Sequence, residues 1–139
     1  MKNVKLESFM SEHPIKVKED VNLKTVAHLL LRYRINGILV VKSQNENELV
    51  GILTTTDLLK IINQALNKKK HRLTELKNIE AIPVGQIASK NICSLQKNDD
   101  VMKAVALMHR KNIHTIPIFD KDHLVGVIGK HDILNMALL

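Results

Sequence analysis

The chain has 139 residues and a hydrophobic content of 45%, enough for one ordinary folded domain that buries roughly 68% of its unfolded surface. No apolar run nears the roughly 18–20 residues that span a bilayer, and Lys2, Lys5 and Glu7 break up any signal-peptide pattern, so we expect no membrane segment and no leader. Cys93 stands alone, which excludes an intrachain disulfide and points to a reducing cytoplasm.

The net charge of +7 is unevenly spread. Residues 1–66 carry 9 basic and 7 acidic side chains, residues 81–139 carry 7 and 5, and the short stretch 67–80 carries 5 and 2. Most of that last excess lies in Lys68, Lys69, Lys70 and Arg72. A solvated linker and a phosphate-contacting strip both remain open for it.

In chain order, Leu6 to Met10 reads as a short helical lead-in and Ile15 to Val17 as a short strand. Asn22 then caps a helix whose apolar stripe runs through Leu23, Val26, Ala27, Leu30 and Leu31. Ile38 to Val41 is a β-branched run of strand length, Ser43 to Glu48 has the composition of a hairpin loop, and Leu49 to Leu53 is a second strand. Asp57 to Leu66 reads as a helix opened by the hydroxyls of Thr54, Thr55 and Thr56.

The same order then returns: Ile92 to Leu95, Val101 to Met108, Ile116 to Phe119, Leu124 to Ile128, and Asp132 to Leu139. An offset of 78 aligns Leu6 with Val84, Ser11 with Ser89, Leu30 with Met108 and Ile38 with Ile116. From Gly51 and Gly126 onward the offset is 75, so the first copy carries three extra residues, placed in the polar stretch before Leu49. Glycine is followed six residues later by aspartate both times, Asp57 and Asp132. A period this long marks two duplicated halves. Each half has the order strand, helix, strand, strand, helix, which predicts an α+β (α/β-like) fold with two helices on one face of each sheet.

Gly51-x-x-Thr54-x-x-Asp57 carries the clearest chemistry. A strand ending at a helix start presents unpaired backbone N–H groups and the positive end of the helix dipole. Gly51 permits close approach of backbone, Thr54 offers a hydroxyl, and Asp57 offers a carboxylate for a ribose diol. The same residues also suit plain helix capping, and both readings stay open. Lys130 and His131 precede Asp132 where the first copy has Thr55 and Thr56, and either neutralises a phosphate or lies in solvent. The histidines show no zinc-ligand spacing, and no nucleophile–base pair, P-loop or paired acid is recognisable, so we expect neither a metal nor catalysis.

The duplicated order, the opening Leu6-Glu7-Ser8-Phe9-Met10-Ser11, the strands at Ile35 to Val41 and Ile113 to Phe119, and the glycine–threonine–aspartate spacing resemble the cystathionine-β-synthase-type (CBS) domain. Two copies resemble a tandem pair, or Bateman module. The resemblance implies two pseudo-symmetric repeats packed through their sheets, residues 1–66 and 84–139, joined by a basic connector and lead-in, 67–83. It implies a regulatory sensor that is not an enzyme and needs no cofactor. Its ligand is an adenine nucleotide (AMP, ADP or ATP) or S-adenosylmethionine, and its output passes to a partner protein.

In such a pair the implied ligand contacts are Ile35, Asn36, Gly37, Ile38, Gly51, Thr54, Thr55 and Asp57 from the first copy. From the second they are Ile113, His114, Thr115, Ile116, Pro117, Lys130, His131 and Asp132. Leu39 stands where the first copy lacks the strand proline, and Gly129 stands where the second lacks the hydroxyl, which favours Thr54 and Asp57 over their counterparts. The resemblance also implies a homodimer through exposed helix faces, here Leu58, Leu59, Ile61 and Ile62, and Ile133, Leu134, Met136 and Leu138. A ligand-free dimerisation module and a nonspecific nucleic-acid binder using the connector are the alternatives.

Overall fold

A computed structural model describes residues 4–67 and 72–138. The chain divides into two compact units, one of Lys16–Asn91 and one of Met1–Ile15 with Ile92–Leu139.

In the first of these, β1 (Lys16–Lys18) pairs parallel with β2 (Gly37–Lys42), which pairs antiparallel with β3 (Asn45–Thr54). Between β1 and β2 runs α1 (Leu23–Tyr33), started by Asn22, whose side chain accepts from the Thr25 N–H at 2.9 Å. Its buried residues Leu23, Val26 and Leu30 recur at helical spacing and form one stripe. The helix stops at Arg34, which is left-handed at φ 52°, and the Ile35 N–H then bonds back to the Leu30 carbonyl. After β3 come α2 (Thr55–Leu66) and α3 (Arg72–Glu80), the latter lying against α2 and α1.

The other unit repeats the plan with β4 (Leu95–Gln96), α4 (Val101–Lys111), β5 (Thr115–Asp120), β6 (His123–Gly129) and α5 (Lys130–Leu138). Asn112 ends α4 in the left-handed region at φ 51°, and the Ile113 N–H returns to the Met108 carbonyl. One buried cluster joins Leu6, Val101, Ala104, Met108, Ile116, Ile118 and Ile128. Each large aliphatic side chain there contributes about 1.5–3 kcal/mol relative to exposure, as an upper figure.

Leu6 belongs to that cluster because the lead-in turns are exchanged between copies. The 3₁₀ turn Leu6–Ser8 packs with the second copy's elements, and Val84–Gln86 packs with the first copy's. The backbone records the exchange with matched bonds. Leu6 donates to the Asp99 carbonyl and Val84 to the Val21 carbonyl. Ser11 exchanges two hydrogen bonds with Val127, and Ser89 exchanges two with Ile52. Each lead-in thereby adds a short antiparallel bridge beside the other copy's last strand.

Three expectations change in detail. The hairpin loop expected over Ser43 to Glu48 is shorter, because β3 already begins at Asn45. Lys42 faces Asn45 but Val41 faces Leu49, so Glu46, Asn47 and Glu48 form a wide bulge that absorbs the three extra residues. Their polarity reflects an exposed bulged strand, which shares its composition with a loop. The connector also holds a helix, α3, with Leu76 and Ile79 half-buried on one side. The run Lys68, Lys69 and Lys70 lies outside the described residues. Finally, regular pairing in the second copy's first strand is confined to Leu95 and Gln96, later than the run from Ile92 suggests. No helix among the described residues is long and apolar enough to cross a membrane.

Candidate functional site

The strand-to-helix corner of the first copy is built by a capping box. Thr54 Oγ1 accepts from the Asp57 N–H at 3.1 Å, and Asp57 Oδ2 accepts from the Thr54 N–H at 3.0 Å. Two orphan donors of the first turn are satisfied reciprocally, which stabilises the start of α2 and holds both side chains in place. Asp57 Oδ1 keeps no partner among the described residues, so the carboxylate retains an acceptor. The first helical residue, Thr55, donates its N–H to the Asn36 carbonyl at 2.9 Å. That bond pins the entry of β2, with Ile35, Asn36 and Gly37, against the helix start.

The second copy has the same corner with different chemistry. Asp132 Oδ2 accepts from the Gly129 N–H at 2.7 Å, while Gly129 returns no side-chain bond, so half of the box is present. Lys130 donates its N–H to the His114 carbonyl at 3.2 Å, the counterpart of the Thr55–Asn36 bond. His114 Nδ1 and Thr115 Oγ1 share a 2.8 Å hydrogen bond at the start of β5. Lys130 and His131 are exposed, and Asp57 and Asp132 are both half-buried. The first corner is therefore neutral apart from its aspartate, whereas the second carries a lysine and two histidines.

Not every residue implied for the ligand is open to one. Ile38, Ile116 and Pro117 are buried, and Ile116 is part of the packed cluster of its unit. Ile35 and Ile113 are half-buried at the left-handed helix ends. The space left by Gly51 is occupied by the chain itself. A Cβ there would stand 2.5 Å from the Ser89 carbonyl oxygen, and one on Gly126 would stand 2.6 Å from Met10 Sδ. These glycines serve the docked lead-ins.

A cavity of about 340 Å³ lies in the second copy's unit between the lead-in turn and α5, lined by Ser8, Phe9, Met10, Asp132, Asn135 and Met136. Of these only Asp132 is legible as a site residue from sequence motifs. The signal available for the rest is an aromatic residue, Phe9, in a polar turn, where it stays 39% exposed. Among the described residues no group of histidine, cysteine, aspartate and glutamate is arranged to hold a metal ion.

Both copies match one family model, the CBS domain, over residues 6–64 and 84–138. A homoserine O-acetyltransferase from Methanococcus vannielii is 30% identical over 131 residues, 94% of this chain but 24% of that protein. The chain spans between about a quarter and a half of the first curated relatives it matches. Among solved structures, the CBS domain pair of protein MJ0100 in complex with 5′-methylthioadenosine and S-adenosyl-L-methionine superposes with a TM-score of 0.76 at 22% identity, covering 96% of this chain and 94% of that one. The CBS domain protein PAE2072 from Pyrobaculum aerophilum, complexed with AMP, gives 0.77 at 22% identity over 93% and 89%. At such identities the likeness shows a shared fold. With two matched repeats, matched corners and matched lead-ins, this chain belongs to the CBS domain family.

Proposed function

We propose that the chain is a ligand-sensing regulatory module that binds an adenosine-containing molecule and alters its contacts with a partner protein in response. The observation that carries this reading is the first copy's corner. Thr54 and Asp57 are locked by reciprocal hydrogen bonds, while Asp57 Oδ1 remains an acceptor. A fixed carboxylate at a helix start, beside a strand entry pinned by the Thr55–Asn36 bond, suits a ribose diol with its phosphate or sulfonium arm nearby. Family members of this fold have been solved with AMP and with S-adenosyl-L-methionine, which supports the ligand class.

The chain would act as a homodimer. Its α2 helix turns Leu58, Ile61 and Ala65 inward and Leu59, Ile62 and Leu66 outward, two apolar stripes at the same spacing. Leu134 and Leu138 repeat the outward stripe on α5. The same stripes favour the second reading, a ligand-free dimerisation module.

Calorimetry with AMP, ADP, ATP, S-adenosylmethionine and 5′-methylthioadenosine separates the two. Binding of at least one of them, weakened about ten- to a hundredfold by Asp57→Asn, is the expected result. Asparagine keeps an oxygen for the Thr54 N–H, so the cap survives while the charge is lost. Absence of heat with every ligand favours the dimerisation module.

A further inference from the structure

We propose that the solvent face of α1 is a docking surface for an acidic amphipathic helix of a partner protein. The inference deepens the sensing reading, from which it takes the partner, and adds the surface that receives it.

Lys24, His28, Leu31 and Arg32 stand at i, i+4, i+7 and i+8, so they share one face of the helix, away from the buried stripe of Leu23, Val26 and Leu30. All four are exposed. Leu31, at 76%, is the most exposed large hydrophobic side chain among the described residues. The helix contains no acidic residue, and among the described residues no carboxylate pairs with Lys24, His28, Arg32 or Arg34. Tyr33, 49% exposed, stands at the end of the stripe with the Arg32 guanidinium 5.9 Å from its ring centroid.

The fold has no use for this pattern. Cations near a helix C-terminus complement the dipole, which accounts for Arg32 and Arg34, but Lys24 lies in the first turn, where positive charge is unfavourable. Leu31 leaves apolar surface in water at a position where a polar side chain would serve. In the second copy the matched positions hold His109 for Leu31 and Lys111 for Tyr33, so α4 keeps the basic charge without the apolar centre.

An apolar centre flanked by cations selects its occupant. A leucine or phenylalanine of the partner covers Leu31, while its carboxylates meet Lys24 and Arg32, about 12 Å apart along the axis. Two copies of this chain do not meet here, because a two-fold contact sets the cations against themselves. The uncharged outward stripe of α2 has no such conflict. Nucleic acid satisfies the cations but offers phosphate, not apolar surface, to Leu31.

The test is fluorescence anisotropy on the whole chain without nucleotide, using a labelled synthetic peptide of about 15 residues with leucines on one helical face and glutamates beside them. We expect binding that weakens roughly tenfold with Leu31→Ser and with Arg32→Gln, and that is lost when glutamine replaces the peptide's glutamates. Both variants change exposed side chains and should keep the circular dichroism spectrum. Arg110→Gln removes the same charge at the matched position of α4 and should leave peptide affinity unchanged. Failure of the peptide to bind, or equal affinity for wild type and Leu31→Ser, overturns the docking face. A DNA duplex that binds more tightly than the peptide and ignores Leu31→Ser overturns it too, and makes the stripe a phosphate surface. Calorimetry with the adenosine compounds is read separately. Heats that persist when the peptide fails leave the sensing reading standing, and peptide binding without such heats overturns the sensing reading alone.

Discussion

The Ser89 carbonyl oxygen lies where Gly51 has room for it, 2.5 Å from the position of a glycine Cβ. Ser89 also exchanges two backbone hydrogen bonds with Ile52, at 3.0 and 2.9 Å. The lead-in of the second copy is thus seated on the last strand of the first, and any side chain at Gly51 pushes it off. Gly51→Ala should destabilise by about 1–3 kcal/mol, because the obstacle is backbone. Gly129→Ala is the control, since its nearest atoms stand at 3.4 and 3.7 Å, and it should change stability far less. Urea midpoints of the two variants check the difference.

The unequal helix caps yield opposite expectations. Thr54→Ala removes the side-chain acceptor of the Asp57 N–H and should cost about 1 kcal/mol. Gly129→Ser supplies the missing hydroxyl at the start of α5, where the glycine has no positive φ to preserve, and should add a few tenths of a kcal/mol. Chemical denaturation of both variants decides whether the boxes behave as equivalents.

Asp99 should give the fold part of its acid sensitivity. The Gln96 N–H donates to its carboxylate at 2.8 Å and Lys103 Nζ lies at 3.1 Å. The backbone bond chiefly, and then the lysine, hold the Asp99 carboxyl below its ordinary 3.8, against partial burial that raises it. A carboxyl depressed in the folded state stabilises fully above its unfolded value, and that contribution is lost as pH falls through the lower folded one. Wild type should therefore exceed Asp99→Asn by a constant margin near neutrality, and the margin should shrink below pH 3.8. A margin independent of pH in urea titrations would remove this assignment.

The outward stripe of α2 should control assembly. Leu59 is 66% exposed, and Ile62 and Leu66 continue its line. Leu59→Glu places a charge in the centre of that stripe without touching the inward residues Leu58, Ile61 and Ala65. Light scattering should then read half the wild-type mass with helical content unchanged. An unchanged mass moves the dimer contact to another face.

Periodicity and repetition carried much of the reading. The stripe of Leu23, Val26 and Leu30 and the cap at Asn22 are local, and they appear where spacing and residue type place them. The corner at Thr54 and Asp57 is legible for the same reason, since its bonds span three residues. Composition alone misled at Glu46, Asn47 and Glu48, because a strand bulged toward water and a loop share polar residues. It also left α3 hidden behind a basic run.

By itself the sequence determined two copies of one strand–helix–strand–strand–helix order, with three extra residues in the polar stretch before Leu49 and the aspartates at helix starts. Only the tertiary structure decided that the lead-ins change places. Ser11 bridges Val127 and Ser89 bridges Ile52, pairings between distant parts of the chain. Local propensity is silent about such partners. The choice belongs to packing, since Leu6 is buried among Val101, Ala104 and Ile128, and to the two glycines, Gly51 and Gly126, that let a second backbone come within contact.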